Sequence, residues 1–334
     1  MYKLLLLIIL GGRCTALNYP YDEELARKLI LMADVAYCGD DTHGDVGSIT
    51  RWDCPPCRVF GASAVSDVGV FQSHSYGTLG FTAMLNGSIY SFYRELASPT
   101  ILVAFRGSVL PANTQADLIQ TLKPLPDKTR GRVHTGMHRE YLSLRHKMLQ
   151  QVAALRKKYP EASSMLVTGH SMGAALSTYA SSDLAPLHQD LQVITYAFGT
   201  PRPGDYKFNM FLRSQSNLQV WTVINKADIV PQCGLLRPIL GGCHELAFGW
   251  HQVASVVWYR DSTSPVVHCN GAEDRHCQNS VKSWRLNMQD HNTYMNHAMW
   301  CCNATGKGAH DKGCNFPFSA NRDNPDGANE TMYM

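Results

Sequence analysis

The stretch Leu166-Val167-Thr168-Gly169-His170-Ser171-Met172-Gly173-Ala174-Ala175 constrains this chain more than any other segment. An apolar run breaks at a glycine-flanked serine and resumes as small helix-forming residues, which reads as strand, sharp turn and helix. A serine in such a turn has a strained backbone that pushes its hydroxyl above the sheet, and the two flanking glycines let strand and helix approach closely. Ser171 is therefore a candidate nucleophile, and Met172, the first residue of the following helix, offers a backbone N–H toward an adjacent oxyanion.

A serine hydroxyl is a weak nucleophile until a histidine takes its proton and a carboxylate orients that histidine. In a strand–turn–helix setting the partners follow in the order serine, acid, histidine. The apolar strand 218–225 runs into Lys226-Ala227-Asp228-Ile229-Val230-Pro231, which makes Asp228 the candidate acid. Seven histidines follow it: His244, His251, His268, His276, His291, His297 and His310. Spacing alone does not choose among them. The competing carboxylates read differently, since Asp205 follows a Pro-Arg-Pro-Gly turn as a cap would, and Asp290 adjoins His291 and points elsewhere.

Periodicity supplies the surroundings. From Asp22 to Ala36 one helical face carries Leu25, Leu29, Met32, Ala33 and Ala36, and a longer helix over 137–159 turns Tyr141, Met148, Val152 and Leu155 inward before Pro160. Short apolar strands at 101–105, 165–168, 191–198, 218–225 and 253–259 alternate with helical stretches. Strands so uniformly apolar belong to a mostly parallel central sheet flanked by helices on both faces, an α/β fold.

The amino terminus, Met1-Tyr2-Lys3 followed by an apolar run from Leu4 to Leu10 and small residues up to Ala16, predicts a secretory signal peptide over residues 1–16. Residues 17–334 then form one soluble domain, with no later stretch apolar enough to span a membrane. Removing that leader takes away Lys3 and Arg13, so the 30 basic and 27 acidic residues become 28 and 27. A net charge near +1 argues against a nucleic-acid partner. No metal site or cofactor is expected, and a monomer is the simplest assembly. Of the 11 cysteines, Cys14 leaves with the leader, and an even set in a secreted chain reads as a disulfide framework. Local pairs are expected for Cys54 with Cys57, in preference to a redox pair or half a zinc site, for Cys269 with Cys277, and for Cys233 with Cys243. Cys38 is expected to reach Cys301 or Cys302, with Cys314 taking the remaining partner. Sequons at Asn86, Asn303 and Asn329 are glycosylation candidates in an extracellular or lysosome-like setting.

An ordered set of short motifs extends well beyond the serine turn. It comprises Ala36-Tyr37-Cys38, Trp52-Asp53-Cys54 with Cys57, Phe105-Arg106-Gly107-Ser108, His134-Thr135-Gly136-Met137, and the turn itself. It continues through Phe198-Gly199-Thr200-Pro201-Arg202-Pro203-Gly204-Asp205, Asp228-Ile229-Val230-Pro231, Val257-Trp258-Tyr259 and Asp290-His291-Asn292-Thr293-Tyr294. Over residues 25–302 the chain resembles a fungal-type class 3 lipase of the α/β-hydrolase superfamily, with a short C-terminal extension. The resemblance implies a Ser171–Asp228–His291 triad, because the family's histidine sits in an Asp-His-x-x-Tyr segment, and leaves His251 as runner-up. It also implies an oxyanion role for Ser108 beside Met172, with Arg106 structural. The activity implied is a secreted ester hydrolase on triacylglycerol or simpler carboxylic esters, with phospholipid or phenolic esters as alternatives on the same triad. A silent lipid- or carbohydrate-binding domain is disfavoured because each matched position bears the competent residue.

In the same family a short amphipathic helix covers the site, and the corresponding segment here is Val109-Leu110-Pro111-Ala112-Asn113-Thr114-Gln115-Ala116. Its apolar residues are few, it has no tryptophan, and Pro111, Asn113 and Thr114 weaken a helix. Apolar burial contributes about 25 cal/mol per Å², so such a lid gains little on opening at an oil–water boundary. We therefore expect weak interfacial activation, with appreciable turnover of dissolved short-chain esters and a shift toward emulsions in Thr114→Trp. The check is rate against substrate concentration across the solubility limit; a sharp jump with negligible activity below it contradicts this reading of the lid.

Overall fold

Asp22 starts the first helix, its side chain accepting the Leu25 N–H at 3.0 Å, with Glu23 and Glu24 favourably placed in the first turn. This helix, α1 (Glu23–Cys38), stops at Gly39. The computed structural model describes residues 20–39, 47–86, 99–109, 122–233, 249–253 and 255–301. After α1 come α2 (Pro55–Phe60), β1 (Val65–Ser73), β2 (Thr78–Leu85), β3 (Thr100–Phe105), β4 (Leu122–Pro124), β5 (Arg132–His134) and α3 (Thr135–Lys158). Then follow β6 (Ser164–His170), α4 (Met172–Leu187), β7 (Gln192–Phe198), α5 (Tyr206–Ser214), β8 (Leu218–Asn225) and α6 (Ile229–Cys233). The short strands β9 (Ser255–Tyr259), β10 (Val267–His268), β11 (Thr293–Tyr294) and β12 (His297–Ala298) complete the order.

The main sheet runs β1-β2-β3-β6-β7-β8-β9-β10. Its centre, β3-β6-β7-β8-β9, is parallel, as the apolar runs require. Pleating sends alternate residues to opposite faces. Leu102, Ala104, Leu166, Ile194, Tyr196 and Val223 join α1 in one core, while Ile101, Val103, Met165, Val167 and Val193 join α3 and α4 in the other. This is the α/β-hydrolase arrangement. The antiparallel edge made by β1 and β2 escaped the sequence reading. In β1 Asp67 and Gly69 interrupt the apolar pattern, and the strand is only half buried because it lies at the sheet's margin.

Both long helices form where periodicity put them, each a residue or two different at its ends, and Tyr141, Met148, Val152 and Leu155 are all buried. Disulfides join Cys54 to Cys57, Cys269 to Cys277, and Cys38 to Cys301 rather than Cys302. The expected Cys233–Cys243 bridge, Cys302 and Cys314, the leader, the extension, Asn303, Asn329 and lid residues 110–116 lie outside what is described. Asn86 is exposed, as a glycan acceptor must be. Among the described residues no helix is long and apolar enough to cross a membrane.

One buried ion pair ties the loop after β7 to the loop after β10. Arg202 meets Glu273 through two hydrogen bonds of 2.8 Å and donates to the carbonyls of Pro231 and Gln232, just beyond Asp228. Burial raises the Glu273 pKa, but the bonds and charge of Arg202, with the Gln252 N–H and Asn279 amide, overcome this and hold it below the ordinary value. A depressed folded-state pKa stabilises above the unfolded value and is lost as pH falls through the folded one. Glu273→Gln should therefore make the acid-side fall in urea midpoint, expected of the native chain below about pH 4.5, shallower, and Glu273→Ala should cost about 3–5 kcal/mol by stranding the guanidinium.

The Cys38–Cys301 bridge spans 263 residues of sequence and Cys54–Cys57 only 3. Cross-links act largely through the closed loop of the unfolded chain. Removing Cys38–Cys301 by paired alanines should cost about 4–5 kcal/mol against about 2 for Cys54–Cys57, and equal losses in urea unfolding would contradict the loop argument.

Candidate functional site

β6 ends at His170 and α4 begins at Met172, so Ser171 alone makes the turn, at φ +60°. A residue other than glycine in this region is strained by about 1–3 kcal/mol. The flanking glycines make the turn sterically feasible. A Cβ on Gly169 would lie 2.2 Å from the Gly173 carbonyl oxygen, and one on Gly173 would lie 2.4 Å from that of Phe105. The Ser171 N–H is held by the Phe198 carbonyl at 2.9 Å, which ties the turn to the neighbouring strand β7.

Across from it, His291 places Nε2 2.8 Å from Ser171 Oγ and Nδ1 2.9 Å from Asp228 Oδ2. Asp228 is fully buried and His291 is 3% exposed. Ser171 remains partly accessible. With Nδ1–H donating to the carboxylate, Nε2 is left to accept the serine proton. Asp228 Oδ2 also accepts the Tyr294 hydroxyl at 2.5 Å, and Oδ1 the Val230 N–H at 2.9 Å. Burial, then the adjacent Asp228 charge, drive the Tyr294 phenol well above its ordinary pKa and keep it a neutral donor. Three charge-assisted contacts thus satisfy a carboxylate that has no access to water.

His291 lies on a segment with little regular structure, so side chains from elsewhere hold it. Asn225, the last residue of β8, donates from Nδ2 to the carbonyls of Asp290 and Thr293 at 3.0 and 2.7 Å. Asp290 accepts from the Ala227 N–H and the Asn287 amide, clamping the acid loop and histidine loop together. The carboxylate next to the histidine is thus a brace, while Asp205 caps α5 at Phe208 and pairs with Arg132. His251 bonds its own neighbour's carbonyl and rests against Tyr206, away from the serine.

Ser108 follows β3 beside the turn. An atom at the Cβ position of Gly107 would stand 3.1 Å from Ser171 Cβ, and Ser108 Oγ lies 3.4 Å from Met172 Sδ. The Met172 N–H sits at the first position of α4, where no helical acceptor exists. Behind this pair Arg106 donates to the Gly77 carbonyl, its pKa lowered by burial to about 10 despite Tyr37 and Glu140, which is a structural placement. Val109, the one described lid residue, packs partly against the core. The sulfurs of Cys38, Cys54 and Cys301 lie within 4.8 Å of one another, but all three are in disulfides and none offers a thiolate to a metal.

Sequence reasoning named the serine, acid and histidine that the fold brings together. It assigned no role to Tyr294, although the Asp-His-x-x-Tyr spacing carried the signal, and none to Asn225 or His170, which carry no local one.

The pattern of the family described as lipase (class 3) matches residues 102–237. A lipase from Rhizomucor miehei is 27% identical over 73% of this chain and 61% of its own length. A phospholipase A1-II 3 from Oryza sativa subsp. japonica is 33% identical over 39% of this chain and 38% of its own. The chain thus spans about three fifths of the length of the first of these relatives. The crystal structure of a lipase from Rhizopus microsporus var. chinensis superposes with a TM-score of 0.68 at 24% identity, over 84% of this chain and 90% of that one. Motif order, sheet topology and these similarities agree: residues 102–237 carry the class 3 lipase pattern, and the chain has the α/β-hydrolase fold of the lipases it resembles.

Proposed function

We propose that this protein is a serine carboxylic-ester hydrolase whose substrates are acylglycerols or related lipid esters, working through an acyl-enzyme on Ser171. The observation that carries the reading is the unbroken chain Ser171 Oγ–His291–Asp228, at 2.8 and 2.9 Å, on a strained turn at the carboxyl end of a parallel sheet. As Ser171 Oγ attacks the ester carbonyl, His291 Nε2 takes its proton and Asp228 steadies the imidazolium. The carbonyl oxygen becomes negative next to the Met172 N–H and Ser108, where a preformed donor contributes roughly 100- to 1000-fold. The imidazolium then protonates the departing alcohol, and a water activated by the same nitrogen releases the acid. Tyr294 and Val230 hold Asp228 against the pull of the ring throughout.

The relatives named as lipases favour acylglycerols, and the phospholipase A1 relative makes phospholipid the second reading. Three disulfides among the described residues support passage through an oxidising, secretory compartment. Hydrolysis of soluble nitrophenyl esters, emulsified triacylglycerol and phospholipid vesicles, compared side by side, tests the substrate class. Within it, Ser171→Ala and His291→Ala should each lower turnover by roughly a millionfold, the double variant by little more, and Asp228→Asn by about ten-thousandfold. Undiminished activity in Ser171→Ala overturns the reading; loss in His251→Ala with retention in His291→Ala reassigns the base.

A further inference from the structure

His170 stands immediately before the nucleophile, is wholly buried, and takes no part in the proton transfers described above. Its Nε2 lies 2.8 Å from the main-chain oxygen of His291, and its Nδ1 2.9 Å from the Tyr37 hydroxyl. A carbonyl can only accept, so Nε2 carries the proton and Nδ1 is left to accept the Tyr37 O–H. The geometry itself therefore fixes the tautomer. The two imidazole rings lie 4.6 Å apart between centroids, with Tyr294 against His170 at 5.6 Å.

The groups facing His170 are His291, with Asp228 behind it, and the two phenols Tyr37 and Tyr294. His297 also acts on it electrostatically. Burial, then the proximity of His291, push the His170 pKa well below the ordinary range. A neutral ring suits this place, because a second cation would oppose the imidazolium that forms on His291 during hydrolysis.

Tyr37 is itself tightly held. It precedes Cys38, which is bonded to Cys301, and it stacks edge-on against Trp300. One turn back, the buried Asp34 accepts the Cys301 N–H at 2.8 Å and pairs with His297 at 2.9 Å. The end of α1 thus grips the histidine segment at 297–301, while His170 grips it at His291. Asn225 holds the carbonyls on either side but not that of His291 itself.

We propose that His170 is a positioning residue for the hydrolysis inferred above: a neutral imidazole, oriented by Tyr37, that pins the His291 main chain so that its Nε2 meets Ser171 Oγ. The proposal rests on the triad reading. A catalytic group displaced by about 1 Å can cost on the order of 100-fold, so one main-chain bond at the base has that leverage.

The test compares His170→Leu, His170→Gln and Tyr37→Phe on a dissolved nitrophenyl ester, with kcat counted per serine titrated by diethyl nitrophenyl phosphate. Thermal unfolding is recorded in parallel. The glutamine amide reaches the Nε2 position and can donate to the same carbonyl, whereas leucine fills the space without a donor. In His170→Leu kcat should fall roughly 10- to 100-fold with KM unchanged, glutamine should restore most of it, and Tyr37→Phe should lose roughly 3- to 10-fold. Native kcat in a folded His170→Leu, or equal losses in the leucine and glutamine variants, overturns the proposal. Should the leucine variant not fold, Tyr37→Phe decides alone: native kcat there removes the positioning role. Persistence of hydrolysis in Ser171→Ala is a different failure, that of the triad itself.

Discussion

The turn at Ser171 is the constraint on which the carboxyl end of the sheet depends. Its positive φ is unfavourable by about 1–3 kcal/mol, and it persists because the two flanking elements are packed too tightly to relax it. β6 is buried along its whole length between β3 and β7, and α4 lies across it with nearly every residue out of water. The glycines at 169 and 173 let strand, helix and β3 touch through their backbones, which leaves the serine hydroxyl nowhere to go but outward. The same crowding brings Gly107 against the turn, so Ser108 arrives beside Ser171 and Met172 without any further device.

The opposite side is built on another principle. His291 belongs to a segment with only two short strands, which do little by themselves to hold it still. Order is imported. Asn225 and Asp228 at the end of β8, Asp290 with Asn287, and the carboxyl end of α1 through Asp34 and Cys38 each contribute one or two bonds. Arg202 and Glu273 do the same for the stretch just after Asp228. Each such bond contributes modestly to stability, about 1 kcal/mol for a neutral pair. Their larger effect is geometric, since together they remove the freedom of a loop that must present one nitrogen to one oxygen.

The sequence reading went furthest where local chemistry repeats a known solution. Ser171 was visible as a glycine-flanked break in an apolar run, and Asp228 as the acid just past a buried strand. His291 was one of seven candidates until the Asp-His-x-x-Tyr segment was set beside the family, because nothing within a few residues of a histidine says which distant serine it will face. The parallel centre of the sheet was legible from uniform apolarity, whereas β1 was not, its pattern diluted at a half-solvated edge. Among the cysteines, short spacings read directly as Cys54–Cys57 and Cys269–Cys277, but the partner of Cys38 lay between two adjacent candidates.

By itself, then, the sequence determined those features set by neighbours along the chain: the strand–turn–helix at the serine, the helix caps and amphipathic faces, the oxidised local cysteine pairs and the residue types of the candidate site. Periodicity and steric strain act over a few residues and leave their mark in order. Tertiary structure decided what depends on distances between residues more than a hundred positions apart. It alone brought His291 to Ser171, joined Cys38 to Cys301, and set Tyr37 and His170 behind His291. Those contacts form only when the sheet's packing fixes both partners, and a chain read one residue after another carries no measure of that distance.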